Sequence, residues 1–131
     1  MADTLPVANG SELAIVLCTF PAGNEWGEVA HTLLHERLCA CVNQVREVAS
    51  IYHWQGEVVS NREVVCMFKS TAERYPALVE RLTELHPYDV PEIVRLSIES
   101  VNQAYLDWIV AECDPGAASS RTDGNAQIDE I

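Results

Sequence analysis

Apolar and polar positions recur along this chain with two periods, and the places where the period changes mark the elements. Residues 12–20, ELAIVLCTF, are a nearly continuous apolar run of strand length, as expected of a central strand covered on at least one face. Pro21 and Gly23 stop that run, and Asn24 is placed to cap a helix. Trp26, Val29, Ala30, Leu33, Leu34 and Leu38 then recur at helical spacing, which predicts an amphipathic helix ending near Leu38.

From Ala40 the period becomes two. Val42, Gln44, Arg46, Val48, Ser50, Tyr52 and Trp54 fall on one face of an extended strand, and Asn43, Val45, Glu47, Ala49, Ile51 and His53 on the other. The apolar side switches midway. A bulge or a strong twist does that, as does a strand that leaves one sheet to join another subunit. Ser60-Asn61 predicts a hairpin turn, after which residues 63–69, EVVCMFK, return as a buried strand. Residues 70–73, STAE, match a capping box, although Pro76 suits a first helical turn and places the regular helix from there. Tyr75, Leu78, Val79, Leu82 and Leu85 form its apolar stripe. Residues 93–101 predict another strand, and Asn102 caps a last helix carrying Tyr105, Trp108 and Ile109 that ends before Pro115. The order strand, helix, strand, strand, helix, strand, helix predicts an α+β, ferredoxin-like βαββαβ sandwich: a four-stranded antiparallel sheet with two helices on one face, plus one C-terminal helix.

Composition bounds this picture. The 131 residues suit one domain, and an apolar fraction of 48% is enough for a core. Residues 1–10 have no clear period and read as a flexible segment. The folded domain is expected over residues 11–113, and the small and polar residues 114–131 as a disordered tail. The net charge of −12 argues against binding a nucleic-acid backbone, which needs clustered Lys and Arg. No signal peptide or membrane-length apolar run is visible. The five cysteines are odd in number and contain no C-x-x-C, which suits free thiols in a reducing cytoplasm.

The candidate chemistry is sparse. His31 and His35 share a helix face, but Thr32 stands where a metalloprotease motif needs glutamate, and two solvated histidines are the plainer reading. Cys39 and Cys41 point the same way only if both lie in extended chain; otherwise Cys41 is core and Cys39 a loop or helix end. Cys18 sits in the first strand, and Cys66 reads as core. Tyr52, Trp54, Glu57, Glu63 and Lys69 come from the hairpin and could line a pocket. There is no phosphate loop, nucleophile elbow or usable Ser/His/Asp set, so the chain is not expected to be an enzyme. The segment HPYDVPE, residues 86–92, poses a choice. His86, Asp89 and Glu92 are possible ligands, yet Pro87 ends a helix and Pro91 launches a strand, so the segment reads first as a structural joint.

Five blocks carry a likeness to a known family: ERLCACVNQV (36–45), SIYHWQGEV (50–58), EVVCMFKS, ELHPYDVPEI (84–93) and NQAYLDWI (102–109). In that order they closely resemble the CutA divalent-cation tolerance family. The resemblance implies a ferredoxin-like subunit in a tight homotrimer whose long second and third strands pair with neighbours. It implies tolerance of copper or other divalent metals without catalysis. The matching ligands are Cys18, in IVLCTF, and His86, in HPY; Leu85 stands where some members carry a further histidine. His86 and Glu92 would line a cleft between subunits, with Tyr52, Trp54, Lys69, Tyr105 and Trp108 converging on it. An alternative, resting on fold-level analogy alone, is a small-ligand-sensing trimer like the nitrogen-regulatory signalling proteins, with a metabolite or anion near Lys69 and Trp108.

Overall fold

The computed structural model describes residues 6–120. The chain order is β1 (Val7–Asn9), β2 (Leu13–Pro21), α1 (Glu25–His35), β3 (Cys41–Trp54), β4 (Glu57–Thr71), α2 (Tyr75–Leu85), β5 (Ile93–Leu96), β6 (Ser100–Asn102) and α3 (Gln103–Glu112). Four strands form one antiparallel sheet in the order β3-β4-β2-β5, the ferredoxin-like arrangement expected from the sequence. The long apolar run of β2 reflects its position: it is central and covered on both faces. Val16, Cys18 and Phe20 pack with Val64, Cys66 and Phe68 of β4 against Val29 and Leu33 of α1 and Leu78 and Leu82 of α2. Leu13 and Ile15 point the other way and pack with Leu106, Ile109 and Cys113 beneath α3.

The switch of apolar side in β3 is a bulge. Gln44 pairs with Cys66 but Arg46 pairs with Val65, so Val45 is an extra residue. Before it, Val42 lies opposite Phe68 on the α1/α2 side. After it, Val48, Ser50, Tyr52 and Trp54 lie opposite Glu63, Asn61, Val59 and Glu57, all on the α3 side of the sheet. The seven residues expected on one face are therefore divided between two.

Several local expectations are corrected. The hairpin turn is Gln55-Gly56, not Ser60-Asn61: both turn residues have positive φ, 50° and 82°, as a two-residue type I′ turn requires. Ser60 and Asn61 sit within the ladder opposite Ile51 and Ser50. Residues 70–73 are not a capping box. The Ser70 hydroxyl is buried and donates to the Leu38 carbonyl at 2.7 Å, while Thr71 Oγ1 accepts from the Arg74 amide at 3.1 Å. Neither Asn24 nor Asn102 makes a side-chain cap bond. The strand expected over residues 93–101 breaks in two: β5 pairs with β2, and β6 pairs with β1 in a separate two-stranded sheet. Residues 7–9, within the segment expected to be flexible, thus form a strand. Gly10 makes this joint possible, because a Cβ there would overlap the Ile98 carbonyl. At the other end, residues 115–120 form 3-10 turns, and the remainder of the expected tail, like residues 1–5, lies outside the described residues.

Candidate functional site

His86 closes α2. Its backbone amide donates to the Leu82 carbonyl at 2.9 Å, and Pro87 prevents the helix from continuing. The ring turns back across the sheet edge. Nε2 donates to the Thr19 carbonyl at 2.7 Å, just past the last β2–β5 pair, Cys18 with Ile93. Nδ1 accepts from the Tyr88 amide at 3.0 Å, which fixes the neutral tautomer with its proton on Nε2. Phe20 stacks on the ring with centroids 4.5 Å apart, and only 7% of the residue is exposed. Burial holds the imidazole pKa below its ordinary value, against the opposing pull of the Thr19 carbonyl, Glu25 and Glu63.

Cys18 is fully buried among the α1/α2 core residues, and its nearest acceptor is the same Thr19 carbonyl, at 3.9 Å from Sγ. Burial pushes its pKa up to about 12, with Cys66 across the ladder and Glu92 adding to the effect. Thiol and imidazole thus converge on one carbonyl, but as a protonated sulfur and a ring with both nitrogens engaged. In this conformation the pair does not fit a metal ion, which needs a thiolate and a free nitrogen lone pair.

The rest of HPYDVPE opens onto the other face of the sheet, where a cleft of about 580 Å³ lies between the distal β3–β4 hairpin and the 87–92 loop. Tyr52 and Trp54 of β3 form one wall, and Tyr88, Asp89 and Glu92 the other. Glu63 of β4 forms the floor and is only 8% exposed. The Tyr88 hydroxyl donates to Glu63 Oε2 at 2.7 Å, and burial together with this carboxylate drives the phenol pKa upward. The Asn61 amide donates to the Tyr52 hydroxyl at 2.6 Å, and Thr19 Oγ1 donates to Glu92 at 3.4 Å.

Of the residues expected in a cleft, Tyr52, Trp54 and Glu92 line this one. Lys69, Tyr105 and Trp108 do not. They form their own cluster by α3, with the Lys69 ammonium 5.7 Å from the Tyr105 ring centre and Tyr105 stacked on Trp108 at 5.7 Å. Lys69 is six positions from Glu63 on the same strand face, about 20 Å along β4. The expected convergence is therefore absent within one subunit. The sequence assigns Tyr88 only a packing role and Glu63 only a place among several hairpin residues; no local motif signals that they meet. His31 and His35 are exposed on α1, with His35 Nδ1 on the His31 carbonyl at 2.8 Å. Cys39 is buried and Cys41 half-buried. Among the described residues no three His, Cys, Asp or Glu side chains gather closely enough to hold a metal ion.

Comparison with known proteins covers the same region. The family model for the CutA1 divalent ion tolerance protein matches residues 14–112. The "Divalent-cation tolerance protein CutA" of Thermus thermophilus is 48% identical over 95 residues, covering 72% of this chain and 92% of the relative. That of Pyrococcus horikoshii is 42% identical over 100 residues, covering 76% and 97%. Among solved structures, the T. thermophilus divalent cation tolerance protein superimposes with a TM-score of 0.72 at 46% identity, covering 76% of this chain and 97% of that one. CutA from Synechococcus elongatus gives 0.78 at 30% identity, covering 82% and 96%. The chain belongs to the CutA1 divalent ion tolerance protein family.

Proposed function

We propose that this chain is a non-catalytic divalent-cation tolerance protein that works in the cytoplasm as a homotrimer and handles copper or another divalent or soft metal. The observation that carries the reading is the family match over residues 14–112, with relatives of 48% and 42% identity that bear that name. The distal hairpin supports assembly: Ile51, Trp54 and Val58 are 72%, 54% and 66% exposed, more apolar surface than a lone hairpin tip tolerates. A neighbour covering this tip would give β3 and β4 a reason for their length.

The metal reading assigns Cys18 and His86, and for these residues to act as ligands the ion must displace the thiol proton and open the His86 clamp on Thr19. A copper(I) and zinc titration of the reduced protein, beside Cys18→Ala and His86→Ala, tests this. Stoichiometric binding lost in both variants supports the pair. Binding retained in both places the metal elsewhere, and no binding in the parent protein overturns the metal reading. Sedimentation at several concentrations tests the trimer, and a monomer throughout overturns it.

A further inference from the structure

His31 and His35 stand about one turn apart on α1, and positions four apart on a helix are neighbours on its surface. Both are exposed, while Val29, Ala30 and Leu33 of the same helix face the core. Their ring centres are 6.4 Å apart and their planes are tilted by 38°. Spacing alone leaves such a pair as solvated side chains. The structure adds the state of the His35 ring. Its Nδ1 lies 2.8 Å from the His31 carbonyl, which can only accept, so in the neutral ring the proton is on Nδ1 and the lone pair is on Nε2. Imidazoles that ligate metal ions are commonly held in this way, with one N–H donated to a backbone carbonyl and the other nitrogen left as the ligand. His86 is the reverse case, since both of its nitrogens are bonded within the protein.

The pair also lies away from the surface on which the trimer reading rests. α1 ends at His35, shortly before β3 begins at Cys41, and Cys41 pairs with Lys69 at the opposite end of the β3–β4 ladder from the Gln55-Gly56 turn. The histidines are therefore remote from the exposed apolar tip of the hairpin. An imidazole pair suits zinc, nickel or copper(II), and with metal–nitrogen bonds of about 2 Å an ion fits between the two rings after a small rotation of the side chains. Among the described residues no third His, Cys, Asp or Glu joins them, so water completes the coordination and the affinity is modest. The net charge of −12 favours a cation at the surface.

We propose that His31 and His35 form a two-imidazole surface site on α1 for a divalent transition-metal ion of the nickel and zinc class. The site is separate from Cys18 and His86 and does not rest on that pair. Nickel(II) is the probe, because imidazole suits it and soft thiolates favour copper(I) and zinc. Calorimetric titration of the full chain, reduced and carrying no polyhistidine tag, should show saturable binding in the micromolar range. His31→Ala and His35→Ala should each weaken it at least about tenfold. Both side chains are exposed, so neither change should disturb folding. Cys18→Ala should leave the nickel affinity unchanged. No saturable binding to the parent protein, or equal affinity in the two histidine variants, overturns the proposal. Binding lost in Cys18→Ala but kept in the histidine variants also overturns it, and moves the ion to the core pair.

Discussion

His86 and Glu63 are two buried polar side chains at the ends of one short hydrogen-bonded chain, joined through Tyr88. The Tyr88 amide donates to His86 Nδ1, and its hydroxyl donates to Glu63 Oε2. The two ends differ in what is left over. His86 has both ring nitrogens occupied, a phenylalanine against its face and a depressed pKa that keeps it neutral. Glu63 has one oxygen bonded to the Tyr88 hydroxyl and lines the cleft. A fully satisfied buried group rigidifies the fold, whereas a carboxylate at the edge of a cleft stays open to solvent. HPYDVPE is thus a joint at its first residue and the wall of a cleft from its second.

The largest effect expected is from His86→Ala. It leaves the Thr19 carbonyl with only the long Cys18 thiol contact and takes the acceptor from the Tyr88 amide, and it opens a void beside Phe20, a loss of about 3 kcal/mol in unfolding free energy. Urea unfolding measures it, and a loss below about 1 kcal/mol would show that His86 is not the clamp described here. The same contrast predicts a pH dependence. Because burial depresses the His86 pKa, the unfolded chain takes up this proton more readily than the folded one. The contribution is therefore complete above the ordinary histidine value of about 6.5 and is lost as pH falls below it. Thermal melts from pH 8 to 5 should show the decline, and His86→Asn should remove that component of it.

Tyr88→Phe comes next. It keeps the ring and the amide bond to His86 but strips Glu63 of its one donor, at an expected cost of about 1–2 kcal/mol. Combined with Glu63→Gln, the two changes should be non-additive, since each removes part of the same interaction. Additive losses would mean that the 2.7 Å bond contributes little.

How much of this is legible in the sequence divides along the same line. The periodic elements are: the run 12–20, the Leu33 and Leu82 stripes and the face switch in β3, because periodicity records burial directly. Two local features are not. Gln55-Gly56 carries the turn through its backbone angles, while Ser60-Asn61 has turn-like composition but lies inside the ladder. Ser70 looks like a cap because its neighbours are helix starters, yet its hydroxyl belongs to Leu38, 32 positions away. Family likeness identifies His86 and Cys18 as a pair, and they do meet at Thr19. Spacing does not reveal that the ring is fully bonded or that the thiol is buried. Glu63 is harder still, since EVVCMFK reads as an ordinary strand. What makes Glu63 unusual is a tyrosine 25 positions on and a hairpin wall built after a bulge. Local patterns report which side of an element is buried, whereas the surroundings of Glu63 are a property of three segments at once.

The smallest expected effect is the sharpest test of the contrast between the two groups. Glu63→Gln preserves the side-chain shape and an oxygen for the Tyr88 hydroxyl while removing the buried charge. For an interaction whose purpose is stability, losing the charge should still cost about 1 kcal/mol, part of what Tyr88→Phe costs. For a carboxylate the fold carries without using it for stability, it should cost nothing or stabilise the protein by up to about 1 kcal/mol, because function-bearing polar groups are commonly kept at the expense of stability. Paired urea titrations of the two variants, without added ligand, separate the cases. A Glu63→Gln protein clearly less stable than the parent would place Glu63 with His86 among the structural groups.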